Sequence, residues 1–315
     1  MLPAKCGDRG PARLGIGLAA LGRPGYLNLG HHVDLGTNKT VDALRAQTFA
    51  VLDAATAAGV RYLDAARSYG RAEEFLGAWL SERNPREVVV GSKWGYVYTA
   101  DWQIDADPPE VKHHDVDTFR RQLEETRALL GDRLALYQIH SATPDSGVLE
   151  DDAVLDALRD LRADGVAVGL TGSGPSQEET IDRARELGIF DAVQATWNLH
   201  ERSAGAALTR AHDAGMDVIV KEALANGRLS PRGADPALRA VAAELGAGED
   251  AVALTAVLAQ PFADVVLSGA ATPEALESNL AATALALSAD ALEALSALEE
   301  EPKRYWAARG ELAWT

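Results

Sequence analysis

A chain of 315 residues, 47% hydrophobic and 24% charged, holds enough apolar side chain for a large core, and (β/α)8 barrels commonly reach this length as one domain. Its net charge of −17 argues against nucleic acid and anionic membrane as partners, because both repel a polyanion. Cys6 is the sole cysteine, which excludes an internal disulfide and a cysteine-based metal cluster. The run from Leu14 to Gly22, behind Lys5, Arg9 and Arg13, is too short and glycine-rich for a signal peptide and lacks a clear cleavage site. It reads as a strand. No apolar stretch has membrane length, so a cytoplasmic protein is expected.

Strand and helix signals then alternate. Leu14–Leu18 reads as the first strand, followed by a long loop carrying Tyr26, Asn28, His31 and His32. Thr40 is placed to cap a helix from Val41 to about Ala58, with Leu44, Phe49 and Leu52 on its inner face. Val60–Asp64 is the second strand; the helix Arg71–Arg83 after it sets Phe75 and Trp79 one turn apart for core packing. The third strand, Val88–Lys93, is apolar until its last residues, as a buried parallel strand should be, and leads into an aromatic loop with Trp94, Tyr96, Tyr98 and Trp102.

A helix over Val116–Leu130 precedes strand four, Leu134–Ile139, which ends on His140. Helix Ala153–Arg162, strand Ala167–Thr171, helix Gln177–Leu187, strand Ala192–Ala195, helix Ser203–Ala214 and strand Val218–Val220 continue the alternation. Helices Pro236–Leu245 and Ala251–Ala259, strand Val265–Ser268, helices Pro273–Leu285 and Asp290–Glu299, and a tail with Tyr305, Trp306 and Trp314 complete it. Eight strands each followed by helix predict a single-domain (β/α)8 barrel over residues 1–315. An open doubly wound sheet is disfavoured, since no Gly-x-Gly-x-x-Gly turn follows the first strand.

In such a barrel the strands deliver Asp64, Lys93 and His140 to one mouth, with Tyr69 just beyond Asp64. A strand-end lysine inside apolar surroundings needs a counter-charge, and Asp64 on the neighbouring strand is the nearest. An ammonium beside a phenol favours the phenolate, so the Tyr69 pKa is expected to fall toward neutrality and suit a proton donor to a carbonyl oxygen. His140 would orient that oxygen. The pairs His31-His32 and His113-His114 are unpromising metal ligands, because adjacent side chains diverge and carboxylates at suitable spacing are missing.

The segments Leu63-Asp-Ala-Ala-Arg-Ser-Tyr-Gly70, Gly91-Ser-Lys93 and Tyr137-Gln-Ile-His140 resemble, in order and spacing, the catalytic segments of the aldo-keto reductases, and the resemblance runs from Gly15 to Asn279. It implies Tyr69 as general acid/base, Lys93 lowering its pKa, Asp64 pairing with Lys93, and His140 directing a small-molecule carbonyl substrate. It also implies a nicotinamide cofactor lying extended across the mouth, NADP(H) before NAD(H), near Thr171, Gln194, Lys221, Ala223, Leu224, Gly227, Leu229, Ser268, Gly269, Thr272 and Asn279. Gly172 stands where the family often has Asn, and Lys221 where an aromatic stacks on the nicotinamide. The basic residues that grip a 2′-phosphate in relatives are replaced by Gly269, Ala271 and Ala275, with Glu274 and Glu277 nearby. Tyr26, Trp197, Trp306 and the loop Trp94–Trp102 are candidate pocket walls. Two other readings stay open: a Schiff-base lyase or aldolase using Lys93 or Lys221, and a non-catalytic cofactor-binding sensor or subunit.

Overall fold

The computed structural model describes residues 2–233 and 235–315. Its centre is a closed barrel of parallel strands: β1 (Leu14–Gly17), β2 (Tyr62–Asp64), β3 (Val89–Trp94), β6 (Leu134–Ala142), β7 (Ala167–Gly172), β8 (Ala192–Thr196), β9 (Asp217–Lys221) and β10 (Val265–Ser268), with β1 pairing both β2 and β10 to complete the ring. The strands are buried because helices cover the ring, which explains their near-continuous apolar runs. The missing numbers belong to β4 (Tyr96–Tyr98) and β5 (Glu110–Lys112), an antiparallel ribbon inside the loop after β3. The sequence reading treated this stretch as an aromatic loop; its alternation is too short to stand out between polar segments.

The helices are α1 (His31–Leu35), α2 (Val41–Ala58), α3 (Ala72–Arg83), α4 (Val116–Leu130), α5 (Asp152–Ala163), α6 (Gln177–Leu187), α7 (Gly205–Asp213), α8 (Pro236–Leu245), α9 (Glu249–Leu258), α10 (Pro273–Leu280), α11 (Ala289–Ser296) and α12 (Pro302–Gly310). Thr40 caps α2 as expected, its side chain accepting from Ala43 N. Leu44 and Leu52 face inward, but Phe49 lies at the rim beneath the guanidiniums of Arg45 and Arg83. Phe75 and Trp79 are core, and the Trp79 indole donates to Asp53 at 2.8 Å, tying α3 to α2.

Two departures matter for the mouth. The tail folds into α12 and then returns, pairing Thr315 with Tyr26 through reciprocal backbone hydrogen bonds of 3.3 Å. The β1 loop crosses the Tyr69 turn at Gly22, where a Cβ would sit 2.2 Å from the Tyr69 carbonyl oxygen, so only glycine fits.

Candidate active site

Asp64 and Lys93 reach the barrel axis from the carboxyl ends of β2 and β3, and both are almost wholly buried, at 2% and 0% exposure. They form a direct ion pair, and Lys93 Nζ also donates to the Ala65 carbonyl at 2.9 Å. The second oxygen of Asp64 accepts from Tyr62 OH at 3.1 Å, Gln194 Nε2 at 3.1 Å and Gln138 Nε2 at 3.3 Å. A buried carboxylate surrounded by donors in this way is fixed in place. Gly91 makes the arrangement possible: a Cβ there would lie 2.3 Å from the Tyr62 hydroxyl.

Tyr69 lies above this pair, with the Lys93 ammonium 4.7 Å from its ring centroid. His140 meets the same ring edge-on at 5.4 Å, and Tyr96 flanks His140 at 4.9 Å. The structure therefore brings Asp64, Tyr69, Lys93 and His140 together at one wall.

The expected fall in the Tyr69 pKa is not found. Burial, followed by the Asp64 carboxylate, pushes the phenol well above its ordinary value, against a smaller opposing pull from Arg23. The Lys93 ammonium is paired with Asp64, and burial together with that carboxylate prevails at the phenol. Tyr69 is thus a protonated phenol at neutral pH. Burial also drives His140 well below the usual imidazole range, helped by the Lys93 charge. A neutral imidazole with Nδ1 3.4 Å from the Ser68 hydroxyl keeps one N–H to donate.

Asp64, Tyr69 and His140 border a cavity of about 710 Å³ at the mouth. Of the other residues singled out in the sequence, Thr171, Gln194, Lys221, Ala223, Leu224, Gly227, Ser268, Gly269 and Asn279 line it. Leu229 does not: it is wholly buried in a satellite core with Leu238 and Tyr305. Thr272 does not either, because its hydroxyl caps α10 by accepting from Ala275 N at 3.1 Å. Of the proposed aromatic walls only Tyr26 and Tyr96 are in place, joined by Trp314 from the tail. Trp94 packs in the core against Phe119 and Trp197 against Phe262, while Trp102 covers Phe75 and Trp306 lies behind Lys221.

Reading the sequence missed Arg23. Its guanidinium is buried, stacks on Trp314 at 4.5 Å, Tyr26 at 5.2 Å and Tyr69 at 5.3 Å, and pairs with Glu110 at 2.9 Å. Its partners are scattered along the chain, so no local pattern announces it.

Lys221 ends β9 beside the cavity, and Glu222 follows it. Burial lowers the Lys221 ammonium to about 8, partly countered by Glu222 at 3.7 Å, and its Nζ donates to Thr196 Oγ1 at 3.0 Å. Glu222 works the other way: burial would raise it, but the charges of Arg309 and Lys221 win and hold it at about 2. Arg309, from α12, clamps Glu222 with bonds of 2.8 and 2.5 Å.

Glu222→Gln is therefore expected to destabilise the protein by about 1.5–3 kcal/mol at pH 7, the range for hydrogen bonds to charged groups. The folded pKa lies below the ordinary 4.5, so the Glu222 contribution is complete above that value. It fades as pH falls toward about 2. Urea unfolding of both proteins between pH 7 and pH 3 checks this; a gap that stays constant across that range contradicts it.

The histidine pairs do not converge. His31 is buried beside Tyr26, and His114 Nε2 bonds the His140 carbonyl at 2.8 Å. Among the described residues no group of three or more His, Cys, Asp or Glu is placed to hold a metal ion. No helix among them is long and apolar enough to cross a membrane.

Comparison with known proteins agrees with this architecture. The sequence profile of the Aldo/keto reductase family matches residues 13–300, and the chain belongs to that family. An aldo-keto reductase of Strobilurus tenacellus is 23% identical, with 91% of this chain and 87% of that one aligned. Among solved structures, the holo form of an aldo-keto reductase from Bacillus halodurans superposes with a TM-score of 0.71 at 20% identity, covering 96% of this chain and 99% of that one. A glycerol dehydrogenase from Gluconobacter oxydans gives 0.69 at 22% identity, with 95% of each chain covered. At these identities the two structures speak to fold alone. Family membership supports an oxidoreductase function.

Proposed function

We propose that the protein reduces an aldehyde or ketone to an alcohol with hydride from a nicotinamide dinucleotide. The observation that carries this is the buried Asp64–Lys93 pair beneath Tyr69, with neutral His140 at the ring edge, on the wall of an open cavity. The cavity suits an extended dinucleotide. It runs from Gln194 and Thr171 past Ala223, Leu224, Asn226 and Gly227 to Ser268 and Asn279, and Asp250, also on its wall, has a carboxylate oxygen with no hydrogen-bond partner. When bound, the nicotinamide supplies the hydride.

The chain's own residues supply position and the proton. His140 donates to the carbonyl oxygen and sets its direction, and Tyr69 O–H delivers a proton to that oxygen as negative charge develops. Lys93 and the guanidinium of Arg23 lie against the Tyr69 ring, where positive charge stabilises the phenolate left behind. Asp64 holds Lys93 in place. Tyr26, Tyr96 and Trp314 give the substrate end of the cavity apolar faces. The test is consumption of reduced nicotinamide by the purified protein with a panel of short-chain and aromatic aldehydes. Absence of turnover across the panel, with the protein folded, counts against this reading.

One observation favours a second reading. Lys221 is an amine lowered to about 8 on the wall of the same cavity, where imine chemistry with a carbonyl is feasible. Lys93 is unsuited to it, being locked to Asp64 and inaccessible. Borohydride trapping of a substrate adduct on Lys221 would favour this second reading over hydride transfer.

A further inference from the structure

The charged groups around the cavity are matched almost one for one. Arg23 pairs with Glu110, Arg232 with Asp34, Arg309 and Lys221 both with Glu222, and Asp64 with Lys93 behind the wall. Asp250 stands apart. It is in the first turn of α9, is 8% exposed, lines the cavity, and its Oδ1 has no hydrogen-bond partner. The carboxylate folds back over Gly248, where a Cβ would lie 2.5 Å from that oxygen, so the backbone has been left bare to admit it. A buried acceptor without a donor is costly unless a ligand supplies one.

The position of Asp250 identifies the donor. Asp64, Tyr69 and His140 fix where a nicotinamide must react, which sends the adenosine half into the arm of the cavity bounded by Asp250, Ser268–Ala271, Ala275 and Asn279. No lysine or arginine occurs anywhere from Val265 to Leu280. Arg232, which also lines the cavity, is committed to Asp34 and to the Leu29 carbonyl. A dianionic 2′-phosphate in this arm would meet a carboxylate and no free cation. An unmodified ribose would instead present two hydroxyl donors to it.

We propose that Asp250 makes the cavity selective for the unphosphorylated dinucleotide, NAD(H), by accepting hydrogen bonds from the adenosine ribose hydroxyls. This rests on the reading of the cavity as a dinucleotide site, and it reverses the order NADP(H) before NAD(H) implied by family resemblance. The selectivity comes from both attraction and exclusion: the Asp250 carboxylate, which no protein group engages among the described residues, gains donors from a diol and repels a phosphate.

Direct binding tests it without turnover. Titration calorimetry of the wild-type protein with NADH and NADPH should give NADH at least about ten-fold tighter, the ratio expected from one charge-assisted hydrogen bond. Asp250→Asn, nearly isosteric, should narrow that ratio by about the same factor, mainly by weakening NADH and easing NADPH. Glu124→Gln, an exposed carboxylate in α4 outside the cavity wall, should leave the ratio unchanged. Tighter NADPH binding by the wild-type protein, or a ratio unmoved by Asp250→Asn, overturns the proposal and leaves the dinucleotide reading standing. The wild-type ratio needs no variant to fold. Binding of neither dinucleotide overturns both.

Discussion

Tyr69→Phe is expected to cut carbonyl reduction by about 10²–10⁴-fold, the usual contribution of a positioned general acid, while dinucleotide affinity stays within about twofold. The hydroxyl is the one group of the cluster that gives up a proton in the proposed step, and the ring that remains still packs against His140 and Arg23. Packing is preserved; the proton is not. The raised Tyr69 pKa adds a pH signature with a definite sign. Burial and Asp64 keep the phenol protonated through the neutral range, so reduction should not weaken there. Alcohol oxidation needs the phenolate and should accelerate as pH rises. Stopped-flow turnover with calorimetric binding checks the first part and paired pH profiles the second. A Tyr69→Phe enzyme with full activity removes Tyr69 from the mechanism.

The second large effect concerns the pair beneath Tyr69, and it is asymmetric. Asp64→Asn should destabilise the fold by about 3–5 kcal/mol, because it strands a buried ammonium. After the change Lys93 keeps only the Ala65 carbonyl as a hydrogen-bond partner of the kind it had before. Lys93→Met should cost less, about 1–2 kcal/mol, since Asp64 still accepts from Tyr62, Gln138 and Gln194. Both should impair catalysis. Urea unfolding ranks the two, and equal losses, or a larger loss for Lys93→Met, would contradict the charge balance described for this site.

Much of this site was legible in the sequence because it is carried by strand ends. Asp64, Lys93 and His140 each close an apolar run, and the parallel ring brings such positions to one mouth without further information. What escaped depends on contacts made late in the chain. The tail was read as an aromatic segment with Trp306 as a candidate wall and without a helix, yet α12 sends Arg309 to Glu222 and the residues after it send Trp314 to Arg23. Arg23 itself stands in a glycine- and proline-rich loop where nothing local distinguishes it from a solvated charge. Asp250 was hidden for the opposite reason: an acidic residue in the first turn of a helix is so common that its missing partner shows only in three dimensions. The expected drop in the Tyr69 pKa failed because one neighbour, Lys93, was weighed without the burial and the Asp64 charge that accompany it. Leu229 and Thr272 were assigned by resemblance to the cofactor and are used for packing and for capping.

The most direct test of the central claim follows the hydride. The protein is incubated with an accepted aldehyde and reduced dinucleotide deuterated at the transferable position, and the alcohol is analysed by mass spectrometry. The account predicts deuterium on the carbinol carbon with the wild-type protein and its near absence with Tyr69→Phe under matched conditions. Alcohol formed without the label, or an aldehyde consumed only as a borohydride-trappable adduct on Lys221, would contradict it.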